Sequence, residues 1–196
     1  MSDNFSIRQA VEADIPGILE IYNDAILTTT ALYTYDPFSL PMMQQWFADK
    51  KAKALPVFVA EDRLPAADGD KLAITPRLPA TPGAPAIAGF ASYGPFRPWP
   101  AYKYSVEHSI YVHKDQRGKG LAKRLLRTLI DHASAASLHT IVAGIDSQNE
   151  VSINLHRQFG FKETGQIAQV GYKFGRWLDL VFMQLILENN LQPNEK

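Results

Sequence analysis

Arg117-Gly118-Lys119-Gly120-Leu121-Ala122 decides how this chain is read. It follows Val106-Glu107-His108-Ser109-Ile110-Tyr111-Val112, a β-branched and aromatic stretch. After it, Leu121, Leu125, Leu126, Leu129 and Ile130 recur at helical spacing. A strand over 103–113, a glycine turn and an amphipathic helix over 121–135 are therefore expected. Glycine permits the sharp turn and a close approach to the backbone. The helix start adds unpaired N–H groups and the positive dipole end. The stretch reads as a cradle for a pyrophosphate, with a plain helix cap as the structural alternative. A P-loop would need Ser or Thr where Gly120 stands, and a dinucleotide fingerprint would need a third glycine where Lys123 stands.

Upstream, Phe5-Ser6-Ile7-Arg8 alternates as a short strand. Asp14 as N-cap and Pro16 in the first turn open a helix carrying Ile15, Ile18, Leu19, Tyr22 and Ile26. Thr28–Tyr35 is a loop, and Ser39 with Pro41 opens a second helix bearing Met42, Met43, Trp46 and Phe47. Pro56–Ala60 and Ala86–Ser92 read as buried strands, and Gly94–Pro100 as a rigid aromatic loop. Five of the thirteen prolines fall in 63–85, which reads as an enlarged hairpin connection. Downstream come a strand at Thr140–Ile145, a helix from Asn149 to Gly160, and strands near 161–171 and 178–187. Strands on both sides of helix 121–135 imply a parallel βαβ crossover in a mostly antiparallel sheet. One α/β domain over 1–196 is expected, with the proline-rich insertion at about 63–85.

The chain has 196 residues, 20 Lys+Arg against 20 Asp+Glu, five His and no Cys. Hydrophobic residues make up 46% and charged residues 20%, the balance of a folded protein. Without cysteine there are no disulfides, thiolate metal sites or cysteine acyl intermediates. Zero net charge argues against nucleic-acid or anionic-membrane partners. The histidines form no His-Glu-x-x-His pair, so no metal is expected. No Gly-x-Ser-x-Gly elbow is present. The start of the chain has neither a basic nor an apolar leader region, and no apolar run approaches the ~18 residues of a membrane helix. A cytoplasmic location is expected.

Arg117-x-x-Gly120-x-Ala122 resembles the coenzyme A loop of the GNAT superfamily of N-acetyltransferases. The order β-α-α-β-β-β-α-β-α-β-β is similar to that fold along nearly the whole chain. Val106–Val112, Asn149–Phe161 and Gly171–Asp179 resemble the phosphinothricin and methionine sulfoximine/sulfone acetyltransferase branch, as do Ile21–Ile26 and Tyr93–Arg97. The match covers about 5–187, with 63–85 as a departure. The resemblance implies an acetyl-CoA-dependent enzyme acting on the α-amine of a small amino-acid analogue, a homodimer, and a part in herbicide or antibiotic resistance.

The resemblance further implies a splayed sheet, with Ile110, Tyr111 and Val112 offering backbone groups to pantetheine like an added strand. The Val112 N–H, or a neighbouring one, would polarise the thioester carbonyl. Arg117, Gly118, Lys119, Gly120, Leu121, Ala122 and Lys123 would hold the pyrophosphate, with Asn149 touching the arm. Glu107 is the family's matching glutamate and candidate base, or else a surface strand residue in an ion pair. His156 stands where many relatives carry a tyrosine; it is a proton donor, a relay or a structural histidine. Arg97 suits a substrate carboxylate, or stacks on Trp99. Tyr33, Ile153 and Lys173 would shape the substrate pocket. Two alternatives stay open: a GNAT enzyme for another amine (peptide N-terminus, polyamine or aminoglycoside), or a non-catalytic acyl-CoA-binding regulator.

Overall fold

A computed structural model describes residues 5–62, 86–188 and 193. The order is β1 (Phe5–Gln9), α1 (Ile15–Thr28), α2 (Leu40–Ala52), β2 (Val57–Asp62), β3 (Ile87–Pro95), β4 (Ser105–Val112), α3 (Leu121–Ala135), β5 (Thr140–Asp146), α4 (Glu150–Gln158), β6 (Lys162–Lys173) and β7 (Arg176–Ile186). This is the order read from the sequence. The expected hairpin connection 63–85 lies outside the described residues, but the strands flanking it pair antiparallel.

The strands form one seven-stranded sheet in the order β1-β2-β3-β4-β5-β7-β6. Among the described residues only β4 and β5 are parallel neighbours, which fits a crossover through α3. Alternation divides the side chains between two layers. Val57, Val59, Ile87, Phe90 and Tyr111 pack with α1 and α2. Ala60, Ala88, Val106, Ile141, Ala143 and Met183 pack with Leu121, Leu125, Leu126 and Leu129 of α3 and Ile153 of α4. No helix among the described residues is long and apolar enough to cross a membrane.

The expected caps hold at two of three helices. Ser39 accepts from the Met42 N–H at 3.4 Å, and Asn149 from the Ser152 N–H at 3.1 Å. Asp14 corrects the third. It sits in helical backbone at the end of a 3-10 turn (Glu12–Asp14) and caps nothing through its side chain toward α1. Its fully buried carboxylate instead receives both arms of Arg8, at 2.7 and 2.8 Å, and the Val11 N–H at 2.8 Å. A bidentate charged pair outweighs a single cap bond.

Gly89 is set by packing. A Cβ there would lie 2.9 Å from the Tyr111 carbonyl oxygen, a backbone atom of the neighbouring strand. Gly89→Ala is expected to cost about 1–3 kcal/mol by overpacking. The check is the urea midpoint, which should fall without a change in slope.

Candidate active site

The β4–β5 ladder is short. It pairs Ser105–Glu107 with Thr140–Val142 and stops, while β4 continues to Val112 along β3. His113 donates its N–H to Ala88 on the β3 side. Backbone groups alternate sides along a strand, so those of Ile110 and Val112 face the gap left by β5. Arg117 Nε reaches the Val112 carbonyl at 3.4 Å from that side. Tyr111 departs from expectation. Its backbone faces β3, and its ring is buried against Phe90 and Tyr22 at centroid distances of 5.0 and 5.6 Å.

The glycine loop closes one end of the gap. Gly118 and Gly120 both have φ +78°, with nothing within 4 Å of a Cβ built on either. They are needed for the left-handed backbone, not for room. Gly120 precedes α3 and offers no side-chain cap, so the N–H groups of Leu121, Ala122 and Lys123 open the helix without one. The Leu121 side chain is core; only its backbone belongs to the loop. Arg117 and Lys123 are exposed beside the turn, and Lys119 Nζ donates to Gln116. Splayed backbone, glycine turn and uncapped helix suit a ligand with amide groups and a pyrophosphate.

Glu107 is the last β4 residue on the ladder, and its side chain lies on the α1/α2 face. Its Oε1 would lie 3.2 Å from a Cβ built on Gly144 of β5, so the glycine makes room for the carboxylate. Burial pushes the Glu107 carboxyl above its ordinary value, opposed by the charge of Arg97. A half-buried carboxylate beside a strand gap is equipped to take a proton.

The model of the acetyltransferase (GNAT) family matches residues 20–161. The chain belongs to the GNAT acetyltransferase family. It is 47% identical to the L-methionine sulfoximine/L-methionine sulfone acetyltransferase of Pseudomonas aeruginosa, over 93% of this chain and 95% of that protein. It is 40% identical to an L-amino acid N-acyltransferase of Escherichia coli, over 96% and 98% of the two chains. A solved phosphinothricin acetyltransferase of Sinorhizobium meliloti in complex with acetyl-CoA superposes with a TM-score of 0.83 at 34% identity, covering 98% of this chain and 94% of that one. The chain is therefore an acetyltransferase.

The remaining GNAT candidates separate by environment. His156 is 4% exposed and does not open onto the gap. Its Nδ1 must donate to the Ser152 carbonyl, at 2.7 Å, because a carbonyl only accepts. The neutral ring then accepts at Nε2 from the Nε2–H of His108, 3.0 Å away. The rings stack at 5.0 Å, with Phe161 edge-on to both. Burial pushes His156 below its ordinary value, and burial with the neighbouring His156 pushes His108 down to about 3. His108 Nδ1 is left buried with no hydrogen-bond partner among the described residues. Ile153 is core. Arg97 is exposed, with its guanidinium 4.2 Å from the Phe96 ring; Phe96 takes the place expected for Trp99. The Tyr33 ring lies against Gly171, where a Cβ would come within 2.7 Å of it.

Lys173, expected to shape the pocket, is engaged within the protein. It is 4% exposed, and its Nζ donates to the carbonyls of Ile26, Thr29 and Leu32 at 2.6, 2.9 and 2.7 Å. An ammonium has three donors, and all are spent on the end of α1 and the turn after it. His108, Gly144, Asp146 and Arg176 were not singled out from the sequence. Strand alternation next to Glu107 pointed to His108, and an aspartate ending the apolar run Ile141–Ile145 pointed to Asp146. Among the described residues no group of side chains is arranged to hold a metal ion.

Gly144→Ala is expected to crowd the Glu107 carboxylate and lower turnover about 10- to 100-fold, since small misplacements are costly at a reacting centre. Acetyl-CoA binding, followed by calorimetry, should be unchanged, because the glycine loop is untouched.

Proposed function

We propose that the chain transfers the acetyl group of acetyl-CoA to the α-amine of a small amino-acid analogue, with methionine sulfoximine, methionine sulfone and phosphinothricin as the leading acceptors. The observation that carries this reading is the Glu107 carboxylate at the point where β4 and β5 part. The names of the similar proteins support the acceptor class.

The acceptor amine arrives protonated, because an α-amine has a pKa near ~8. Glu107 takes that proton directly or through one water. The freed nitrogen lone pair attacks the thioester carbonyl carbon. The N–C bond forms, the C–S bond breaks with its electron pair leaving on the coenzyme A sulfur, and that thiolate takes up the second proton that the new amide nitrogen loses. The Val112 N–H, facing the gap, polarises the carbonyl oxygen. Ile110 pairs with the pantetheine arm, and Asn149 contacts it from the start of α4. The backbone from Gly118 to Lys123 holds the pyrophosphate, with Arg117, Lys119 and Lys123 as counter-charges. Transfer is direct, within a ternary complex; without cysteine no acyl-thioenzyme forms.

Arg97 takes the acceptor carboxylate, and Tyr33 borders the pocket. His156 serves as a positioning residue through His108, since its own nitrogens are both engaged. The protein acts as a homodimer joined through the β6–β7 hairpin. β6 is an edge strand, and Ile167, Val170, Tyr172 and Trp177 are all about half exposed on it or its partner. Such an apolar edge needs cover.

Glu107→Gln is expected to lower kcat about 10²- to 10⁴-fold while leaving acetyl-CoA affinity nearly intact. In the parent enzyme, activity needs the ionised carboxylate. It should fall as pH drops through a Glu107 pKa above the ordinary carboxylate range. Free-thiol release against pH checks this; an acid limb that survives in the variant removes Glu107 as base. Light scattering should give twice the 21.9 kDa chain mass, and Trp177→Glu should reduce it to one.

A further inference from the structure

A cavity of about 520 Å³ lies between the β1–α1 connection and α2. Val11, Phe47, Leu55 and Val57 give it apolar walls, and Lys50 and Lys51 line it from α2. None of its lining residues belongs to the glycine loop or to the gap beside β4. The walls are held in place. The Ala10 N–H donates to the Val57 carbonyl at 2.8 Å. The Asp14 carboxylate, fixed by Arg8, accepts from the Val11 N–H at 2.8 Å. Lys51 Nζ and Glu12 form an exposed ion pair at 3.4 Å, so the charge of Glu12 is already matched.

Lys50 is unlike the lysines around it. It is half-buried, whereas Lys51 and Lys53 are exposed. It is also unlike Lys173, whose three donors all meet carbonyls. Lys50 Nζ donates once, to the Tyr93 carbonyl at 2.8 Å. Its other two hydrogens have no acceptor among the described residues. The Trp46 ring, 5.5 Å away, favours the ammonium. Burial opposes it, and so does the charge of Lys53; together they push Lys50 down to about 8. About a tenth of such a side chain is free amine at neutral pH. The Tyr93 carbonyl takes one N–H of that amine and orients it. A lysine desolvated among apolar groups keeps a nucleophilic lone pair that an exposed ammonium lacks.

We propose that Lys50 is an acylation site of this chain, taking an acetyl group at Nζ directly from acetyl-CoA and lodging it in the cavity. The ammonium first gives one proton to solvent. The lone pair then attacks the thioester carbonyl carbon. The N–C bond forms, and the C–S bond breaks with its electron pair leaving on sulfur. The nitrogen loses a second proton, which the thiolate takes up. The products are a neutral secondary amide and a free thiol. The remaining amide N–H still serves the Tyr93 carbonyl, and the acetyl methyl meets the apolar walls, so the fold is kept. What is lost is the charge beside Trp46. Acetyl-CoA enters here only as an acyl donor, so the amine preference of the active site has no part in the step.

The test incubates the full chain with isotopically labelled acetyl-CoA at about pH 7.5, without any acceptor amine, and maps the label by peptide mass spectrometry. Lys50 should take label about tenfold or more faster than Lys51 and Lys53, and Lys173 should take none. Lys50→Arg keeps a cation; it should lose the fast phase and leave the slow labelling unchanged. Glu107→Gln should label at Lys50 at the parent rate, because the nucleophile is Lys50 itself. Labelling of Lys50 no faster than that of Lys51 and Lys53 overturns the proposal. So does a fast phase that persists in Lys50→Arg, or one that vanishes in Glu107→Gln. A parent chain that labels Lys50 yet releases no thiol with any amino acid supports the proposal and overturns only the acceptor reading above.

Discussion

The site depends on where the β4–β5 ladder stops. Parallel pairing is slightly weaker per residue than antiparallel pairing, and this is the one parallel seam in the sheet. Each strand is held harder on its other side. β4 is paired with β3 along its whole length, and Tyr111 locks into the Phe90–Tyr22 ring cluster. β5 is paired with β7 over all seven residues, and Ser147 and Asp146 tie its end to Asp179 and Arg176. The strands part at Glu107. Past Glu107 the gap-facing backbone of Ile110 and Val112 has no strand partner on the β5 side, and both residues are only half-buried, so that edge is open to a ligand with amides of its own. One parting thus leaves an open strand edge beside a half-buried carboxylate.

The same parting explains the buried histidines. His108 is the first β4 residue past the ladder, and its side chain faces the α3/α4 layer. There the sheet no longer joins β4 to the β5 half. The His108–His156 bond joins them from behind, through α4. Both rings are kept neutral by burial, so the join carries no charge to desolvate.

Most of the fold was legible because its signals are local. The leucine spacing of α3, the β-branched strands and the glycines at 118 and 120 each state their structure within a few residues. The element order, the crossover and two helix caps followed. What was illegible depends on partners far apart in the chain. Asp14 looks like a cap until Arg8 is folded beside it. Lys173 reads as a pocket-shaping residue, but the three carbonyls that surround its ammonium lie near residue 29. His156 aligned with a proton donor, and only its contact with His108, 48 residues away, shows that both nitrogens are engaged. Tyr111 was grouped with Ile110 and Val112 by adjacency, whereas strand alternation turns it the other way.

Lys173 and Arg97 show why charge alone does not identify a ligand site. Both are pocket candidates in the sequence. Burial disfavours the Lys173 charge, yet the three carbonyls satisfy its three donors, and an ammonium has no fourth. Its role is to hold the carbonyl end of α1 against the β6–β7 hairpin, where the helix dipole also favours a cation. Arg97 keeps its guanidinium exposed over Phe96, near enough to oppose the upward pull of burial on Glu107. A saturated cation builds a wall, and an unsaturated one can meet a substrate. The chain's zero net charge hides both, along with the cations around Gly118 and Gly120. What decides each role is how many donors the fold has already used.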